Sequence, residues 1–363
     1  MDRIFALLGV LLFFSSCIHD PVIEESEDSS VYPYEIILKA SSTLIPLNEF
    51  GVSILTAVSE RRYDITAETT FYVDGEKIEG NIFKPNATGK YIVKGEYQGA
   101  RTKEIELVVK EPRNRKVLIE LFTSRRCVWC PWIAHRVDSL SNSNDQVVAY
   151  SIHGEDELTI SEGSLLEELL IVSGRPSVRI NRGYARRNLD PIEIKGVIDS
   201  VYFFLSQLTE IELSINSDFN DHTLNVEVFG KFYEEMDKEL YLTVILVEDK
   251  IITENQYNAF SGHPNENNPF SDKPHPIPVY QNHNTLRKVL TDVYGEKLAW
   301  DGVDLEQPIL ITDIQKSFDE LNIENTEEAY IIAVVHERRE GIDISSVRNA
   351  QIVKMGGDIG FDE

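Results

Sequence analysis

The chain is 363 residues long, more than one ordinary core accommodates, and domains of about 100 to 150 residues imply two or three of them. A hydrophobic share of 42% with 26% charged residues is ordinary for a globular protein and excludes a chain that is disordered throughout. The balance of 35 Lys and Arg against 61 Asp and Glu leaves −26, which repels phosphate backbones and excludes nucleic acid as a partner.

Residues 1–16 read as a signal peptide. Arg3 supplies positive charge, residues 4–14 form an unbroken apolar run, and Ser15 and Ser16 precede Cys17. The run is shorter than the about 20 residues a spanning helix needs. Small residues before a cysteine are what a lipoprotein signal peptidase cuts, so Cys17 is expected to carry lipid; the alternative is a plain secretory signal with an incidental cysteine. Residues 17–32 are acidic and form a solvated tether. Residues 33–111 alternate at period two, with a two-residue turn at Asp74 and Gly75 and with Tyr91 at the place of a tyrosine corner, which predicts an immunoglobulin-like β-sandwich. Pro112 lies in a charged linker.

From Val117 strands alternate with helical stretches, which predicts an α/β unit over residues 113–209. A buried strand over 117–122 leads to a helix starting near Cys127, with Pro131 in its first turn and Ile133, Val137 and Leu140 inward. A second strand spans 146–152. A second helix spans 161–172 with Leu165, Leu166, Leu169 and Leu170 inward. Arg175 and Pro176 open a strand over 177–181, and Asp190 caps a last helix that begins at Pro191. This order is that of a thioredoxin-like domain. Strands over 211–215, 223–228, 240–247, 329–336 and 347–355 predict a second β-sandwich across 210–363, with a loop at 255–285. The expected fold class is multidomain α+β: an immunoglobulin-like sandwich, a central thioredoxin-like α/β domain and a C-terminal sandwich.

Three cysteines occur, and with Cys17 lipidated the one possible intramolecular disulfide is Cys127 to Cys130. Closing so short a ring gains little chain entropy, so the pair points to chemistry rather than to a staple. Cys127 at a helix entrance, beside Arg125 and Arg126, has the setting of a nucleophilic thiolate; Cys130 is the shielded resolving thiol. Glu120 is either a buried proton acceptor for Cys130 or an outward, solvated carboxylate. Pro176 is either a cis proline lying against the cysteines, with the Arg175 backbone presented to substrate, or an ordinary trans turn. Trp129 and Trp132 either dock an apolar substrate or pack. His135 and His153 make a partial metal-ligand set with the two thiols, too incomplete to predict a metal or any other cofactor.

The stretch Leu118-Ile-Glu-Leu-Phe-Thr-Ser-Arg-Arg-Cys-Val-Trp-Cys-Pro131 resembles the signature of the Omp28-related outer-membrane lipoproteins of Bacteroidetes. The stretch running from Val147 to His153, Gly174-Arg-Pro-Ser177 and the segment from His283 to Leu290 match in the same order, so the resemblance covers roughly residues 115–360. Ser124 stands where that family usually has Gly. The resemblance implies an outer-membrane lipoprotein with a thioredoxin-like domain. Two functions compete: thiol-disulfide exchange or redox-active binding on exported proteins carrying thiols or disulfides, and a structural or adhesive surface lipoprotein whose disulfide is inert.

Overall fold

The computed structural model describes residues 35–187, 194–236, 238–263, 267–299, 304–338 and 346–361. The signal peptide, the whole acidic tether with Cys17, Asp190 and Pro191 lie outside these residues.

The amino-terminal part holds two sheets. Ile36–Ala40, Ser53–Ser59 and Ile82–Phe83 form one, and Leu44–Pro46, Ile105–Lys110, Gly89–Tyr97, Thr70–Val73 and Glu76–Lys77 follow one another in the second. Inward residues of both, among them Ile36, Leu55, Phe71, Val93 and Leu107, share one core. The Asp74 and Gly75 turn has φ of 50° and 86°, the doubly positive geometry whose twist suits a two-residue hairpin. The Tyr91 hydroxyl donates to Ala87 O at 2.8 Å.

The remainder corrects the expected fold class. Twenty-four strands stand against three α-helices among the described residues, so the protein is mostly β rather than α+β. The strands assigned to a central α/β domain do not close into a sheet of their own. They belong to a nine-stranded sheet in the order Tyr184–Arg187, Ser177–Ile180, Val117–Thr123, Val147–His153, Thr285–Val289, Leu240–Glu248, Ala329–Glu337, Val347–Lys354, with Glu296–Lys297 paired to Leu240–Glu248. The seam is the parallel bridge of Ser151 with Thr285, supported by Ser151 N donating to Asn284 O at 2.8 Å. The physical reason is an edge. Val147–His153 is buried at every residue, so both rows of its backbone polar groups need partners, and Val117–Thr123 supplies only one. Alternation of strands and helices along the chain reveals that a parallel pair exists, but not what covers its far side.

The C-terminal strands form two layers, as a sandwich does. Ile211–Asn220, Thr223–Phe232, Pro308–Ser317 and Asp358–Ile359 make a second sheet whose Ile211, Leu213, Leu224 and Val226 pack on Leu240, Val244, Ile331 and Val335 of the large sheet. The expected loop at 255–285 is shorter than the sequence suggested: Ile251–Gln256 and Ile277–Asn282 pair as an antiparallel hairpin and Thr285 begins a strand of the large sheet, while the described residues between 257 and 276 form no strand or helix.

The helices cover the other part of that sheet. Helix α1 (Cys130–Ser143) and α3 (Ile194–Leu205) lie on the face of Val117, Ile119 and Leu121, through Ile133, Val137, Val197 and Val201. Helix α2 (Ser161–Leu169) lies on the opposite face, where Leu166 and Leu169 meet Leu118, Phe122 and Ile245. Leu165, expected inward, is exposed, and α2 ends before residue 172. Helix α1 begins at Cys130 rather than at Cys127, which stands in the turn before it.

Candidate functional site

Cys127 and Cys130 form a disulfide at the carboxyl end of the Val117–Thr123 strand. Cys127 N donates to Ser124 O at 3.0 Å, closing the turn that leads out of the strand. The sulfurs differ in access: Cys130 is 1% exposed under α1, whereas Cys127 is only partly buried.

The turn is held from below by Asp156. Its carboxylate accepts from Arg125 N at 2.8 Å, from His153 Nδ1 at 2.8 Å and from Leu158 N at 3.0 Å. Burial acts to raise the Asp156 pKa, but the hydrogen bonds from His153, Arg125 and Leu158 outweigh it and hold the carboxyl below its usual range. The sequence left His153 either approaching the cysteines or packing at a strand end, and it did not single out Asp156; the His-x-x-Asp spacing in the turn after a buried strand was the available signal.

The turn is also held from above, by the Ile251–Asn282 hairpin. Its tip lays the segment 256–260 along the cysteine loop. Tyr257 N donates to Arg125 O at 2.9 Å and Ala259 N to Val128 O at 2.8 Å, two backbone hydrogen bonds that the hairpin tip gives to the turn. Gln256, 2% exposed, donates from Nε2 to Cys127 O at 3.2 Å and to Ser124 O at 3.4 Å. Phe260 packs edge-on to Trp129, with ring centroids 5.2 Å apart, and lies 6.2 Å from the Trp132 ring. Asn258 braces the tip: its Nδ2 donates to Phe270 O at 2.9 Å and its Oδ1 accepts from Phe260 N at 3.0 Å. The contacts of this segment with the cysteine loop and the two tryptophans were not legible in the sequence, because they join segments far apart in the chain.

The other predicted residues fall as follows. Glu120 is fully buried, and its Oε1 accepts from the Tyr150 hydroxyl at 2.6 Å and from Arg182 Nε at 3.0 Å. Alternation along the strand puts Glu120 with Leu118 and Phe122 on the α2 face, whereas Cys130 opens α1 on the other. The carboxylate is thus a buried ion-pair partner, not the outward, solvated group that sequence allowed. Burial, and then the Glu120 charge, push the Tyr150 hydroxyl well above its ordinary value and keep it a donor. The Arg175 to Pro176 peptide bond is cis. The Arg175 guanidinium pairs with Glu167 of α2 and stands 3.8 Å from Glu155, so its charge is answered within the chain. Trp129 is 46% exposed and Trp132 is 9% exposed. Arg125 pairs with Glu157 at 3.0 Å. His135 lies between the Trp132 and Phe270 rings, and burial above all pushes its pKa down. Among the described residues no group of three or more His, Cys, Asp or Glu is placed to hold a metal ion.

The model of the family described as outer membrane protein Omp28 matches residues 164–358, more than half of the chain. The chain belongs to the Omp28 family. That family's name places its members in the outer membrane, and among the described residues no helix is long and apolar enough to cross a membrane. The matched range holds the hairpin and most of the large sheet but begins after Cys127 and Cys130, so it is shorter than the stretch over which the Omp28 resemblance was read. No curated protein matches the chain. Among solved structures, HBP35 of Porphyromonas gingivalis is similar in fold, with 19% sequence identity and a TM-score of 0.50 over 68% of this chain and 76% of that one.

Proposed function

We propose that this Omp28 family member is an exported lipoprotein, anchored to the outer membrane through lipid on Cys17, whose Cys127 and Cys130 exchange disulfides with exported proteins that carry thiols or disulfides. The observation that carries the reading is the unequal access of the two sulfurs, with Cys127 open to an attacking thiolate and Cys130 enclosed.

In the oxidised form a substrate thiolate attacks Cys127 Sγ. The bond between Cys127 and Cys130 breaks, and its electron pair leaves on Cys130 as a thiolate. A second substrate thiolate attacks the substrate sulfur of the mixed disulfide and releases Cys127. Two electrons pass from the substrate dithiol to the cysteine pair, and the two protons shed by the substrate thiols are available to Cys127 and Cys130. In reverse, the Cys127 thiolate opens a substrate disulfide and Cys130 resolves it; the redox poise of the compartment sets the direction. Trp129, half exposed beside Cys127, offers an apolar contact to the substrate, and the backbone at Arg175 and Pro176 is the second contact this reading assigns to it.

The test is a trap. Cys130→Ser leaves Cys127 able to attack but unable to be resolved, so mixed disulfides with exported proteins accumulate and separate on a non-reducing gel, whereas Cys127→Ser traps nothing. The hairpin tip over the cysteine loop favours one competing reading, a closed structural disulfide in a protein that acts through its β-sheets. A reduction potential below about −300 mV, with no trapped partner from either variant, selects that reading.

A further inference from the structure

The segment 256–260 occupies the backbone carbonyls of the cysteine loop as a bound polypeptide would. A substrate protein that presents its thiol in an extended stretch docks by donating backbone N–H groups to free carbonyls beside the attacked sulfur. The carbonyls on offer are those of Arg125 and Val128, on either side of Cys127. Both are already taken, by Tyr257 N and Ala259 N. A third, that of Cys127 itself, accepts from buried Gln256. Phe260 fills the space against Trp129 and Trp132, where an aromatic substrate side chain would stack. The Cys127 sulfur is nevertheless only partly buried, so the segment covers the docking edge without closing off the atom.

We propose that residues 256–260 form an internal pseudo-substrate that sets the specificity of the Cys127 exchange: small thiols reach Cys127 with the segment in place, and a polypeptide thiol reacts productively only after displacing it. This rests on the exchange reading given above. The fitting partner is an extended polypeptide with the pattern of the segment itself, two paired backbone amides at alternate residues followed at once by an aromatic side chain. Gln256 and Phe260 are positioning residues: neither takes part in bond exchange, and both hold the segment on its edge.

The experiment compares the full chain with Phe260→Ala and, separately, with Gln256→Ala. Reduction of the Cys127 and Cys130 disulfide is timed with dithiothreitol and with a reduced, unfolded cysteine-containing polypeptide at equal thiol concentration. Loosening the segment by removing the Phe260 ring contacts or the Gln256 side-chain hydrogen bonds is expected to raise the polypeptide rate roughly tenfold while the dithiothreitol rate changes by less than about twofold. Both rates rising together, or neither changing, overturns the proposal, since a merely structural brace does not discriminate between reductants by size. A peptide spanning residues 254–262 should compete with the polypeptide on Phe260→Ala and leave dithiothreitol untouched; no competition also overturns it. Failure of the exchange reading itself looks different: the wild-type disulfide then reacts with neither reductant in the native state.

Discussion

Arg182 Nε stands 3.0 Å from Glu120 Oε1, and both side chains are fully buried. Burial acts to lower the Arg182 pKa, but the charge of Glu120 and its contact with Tyr150 outweigh this and leave it raised, so the guanidinium is held charged by its partner. Removing one partner of such a pair strands the other charge in the interior. Glu120→Gln is expected to lower stability by roughly 3 kcal/mol, read from the denaturant midpoint. Because Glu120 and α1 lie on opposite faces of the sheet, the rate of reduction of the disulfide by dithiothreitol should stay within about twofold of wild type. A rate loss of about tenfold or more at unchanged stability would show that Glu120 acts on the thiols after all.

Asp156 joins the cysteine turn to the end of the Val147–His153 strand, and its pKa is depressed in the folded protein. A depressed carboxyl contributes stability that is present above the unfolded value near 3.8 and is lost as pH falls through the lower folded value. The stability difference between wild type and Asp156→Asn should therefore be full at neutral pH and shrink below about pH 4. Urea unfolding of both proteins across that range measures it; a difference independent of pH would mean that the charge of Asp156 contributes nothing.

His283 stands 3.0 Å from Asp249 and 3.8 Å from Asp138 of α1, where the hairpin rejoins the sheet. The hydrogen bond to Asp249 raises its pKa, burial opposes this, and the nearby Asp138 and Asp249 charges add to the rise. A raised histidine contributes stability that is full below the unfolded value near 6.5 and is lost as pH rises through the folded value. The imidazole should titrate above 6.5 by NMR in wild type and move down in Asp249→Asn. Unchanged titration in that variant would remove Asp249 as the cause.

Cys17, outside the described residues, is expected to carry the lipid. Cys17→Ser should move the protein from the detergent-extracted membrane fraction into the soluble fraction. A wild-type chain that is already soluble, with an unmodified sulfur, would leave the anchor without support.

Much of the local structure was legible because its causes are local. Asp74 and Gly75 specified a hairpin turn through their tolerance of positive φ, and the fully apolar flanks of Glu120 marked a strand buried on both faces. Leu165 shows the limit. Helical spacing placed it with Leu166 and Leu169 on a single apolar stripe, yet only the neighbours in space decided which part of that stripe met the sheet.

By itself, the sequence determined the three helices and many of the strands, though not the Ile251–Asn282 hairpin or the strand Pro308–Ser317, that two cysteines stand three apart at the end of a strand, and which one lies nearer the helix interior. These follow from backbone propensity and side-chain period, which act over a few residues. Only the tertiary structure decided that Val147–His153 pairs with Thr285–Val289, so that a central unit and a C-terminal unit become one sheet, and that residues 256–260 lie on the cysteine loop. The physical reason is that backbone amides and carbonyls are alike in every residue: an unpaired strand edge or loop carbonyl must find a donor or acceptor, but nothing in its own sequence says which distant segment supplies it.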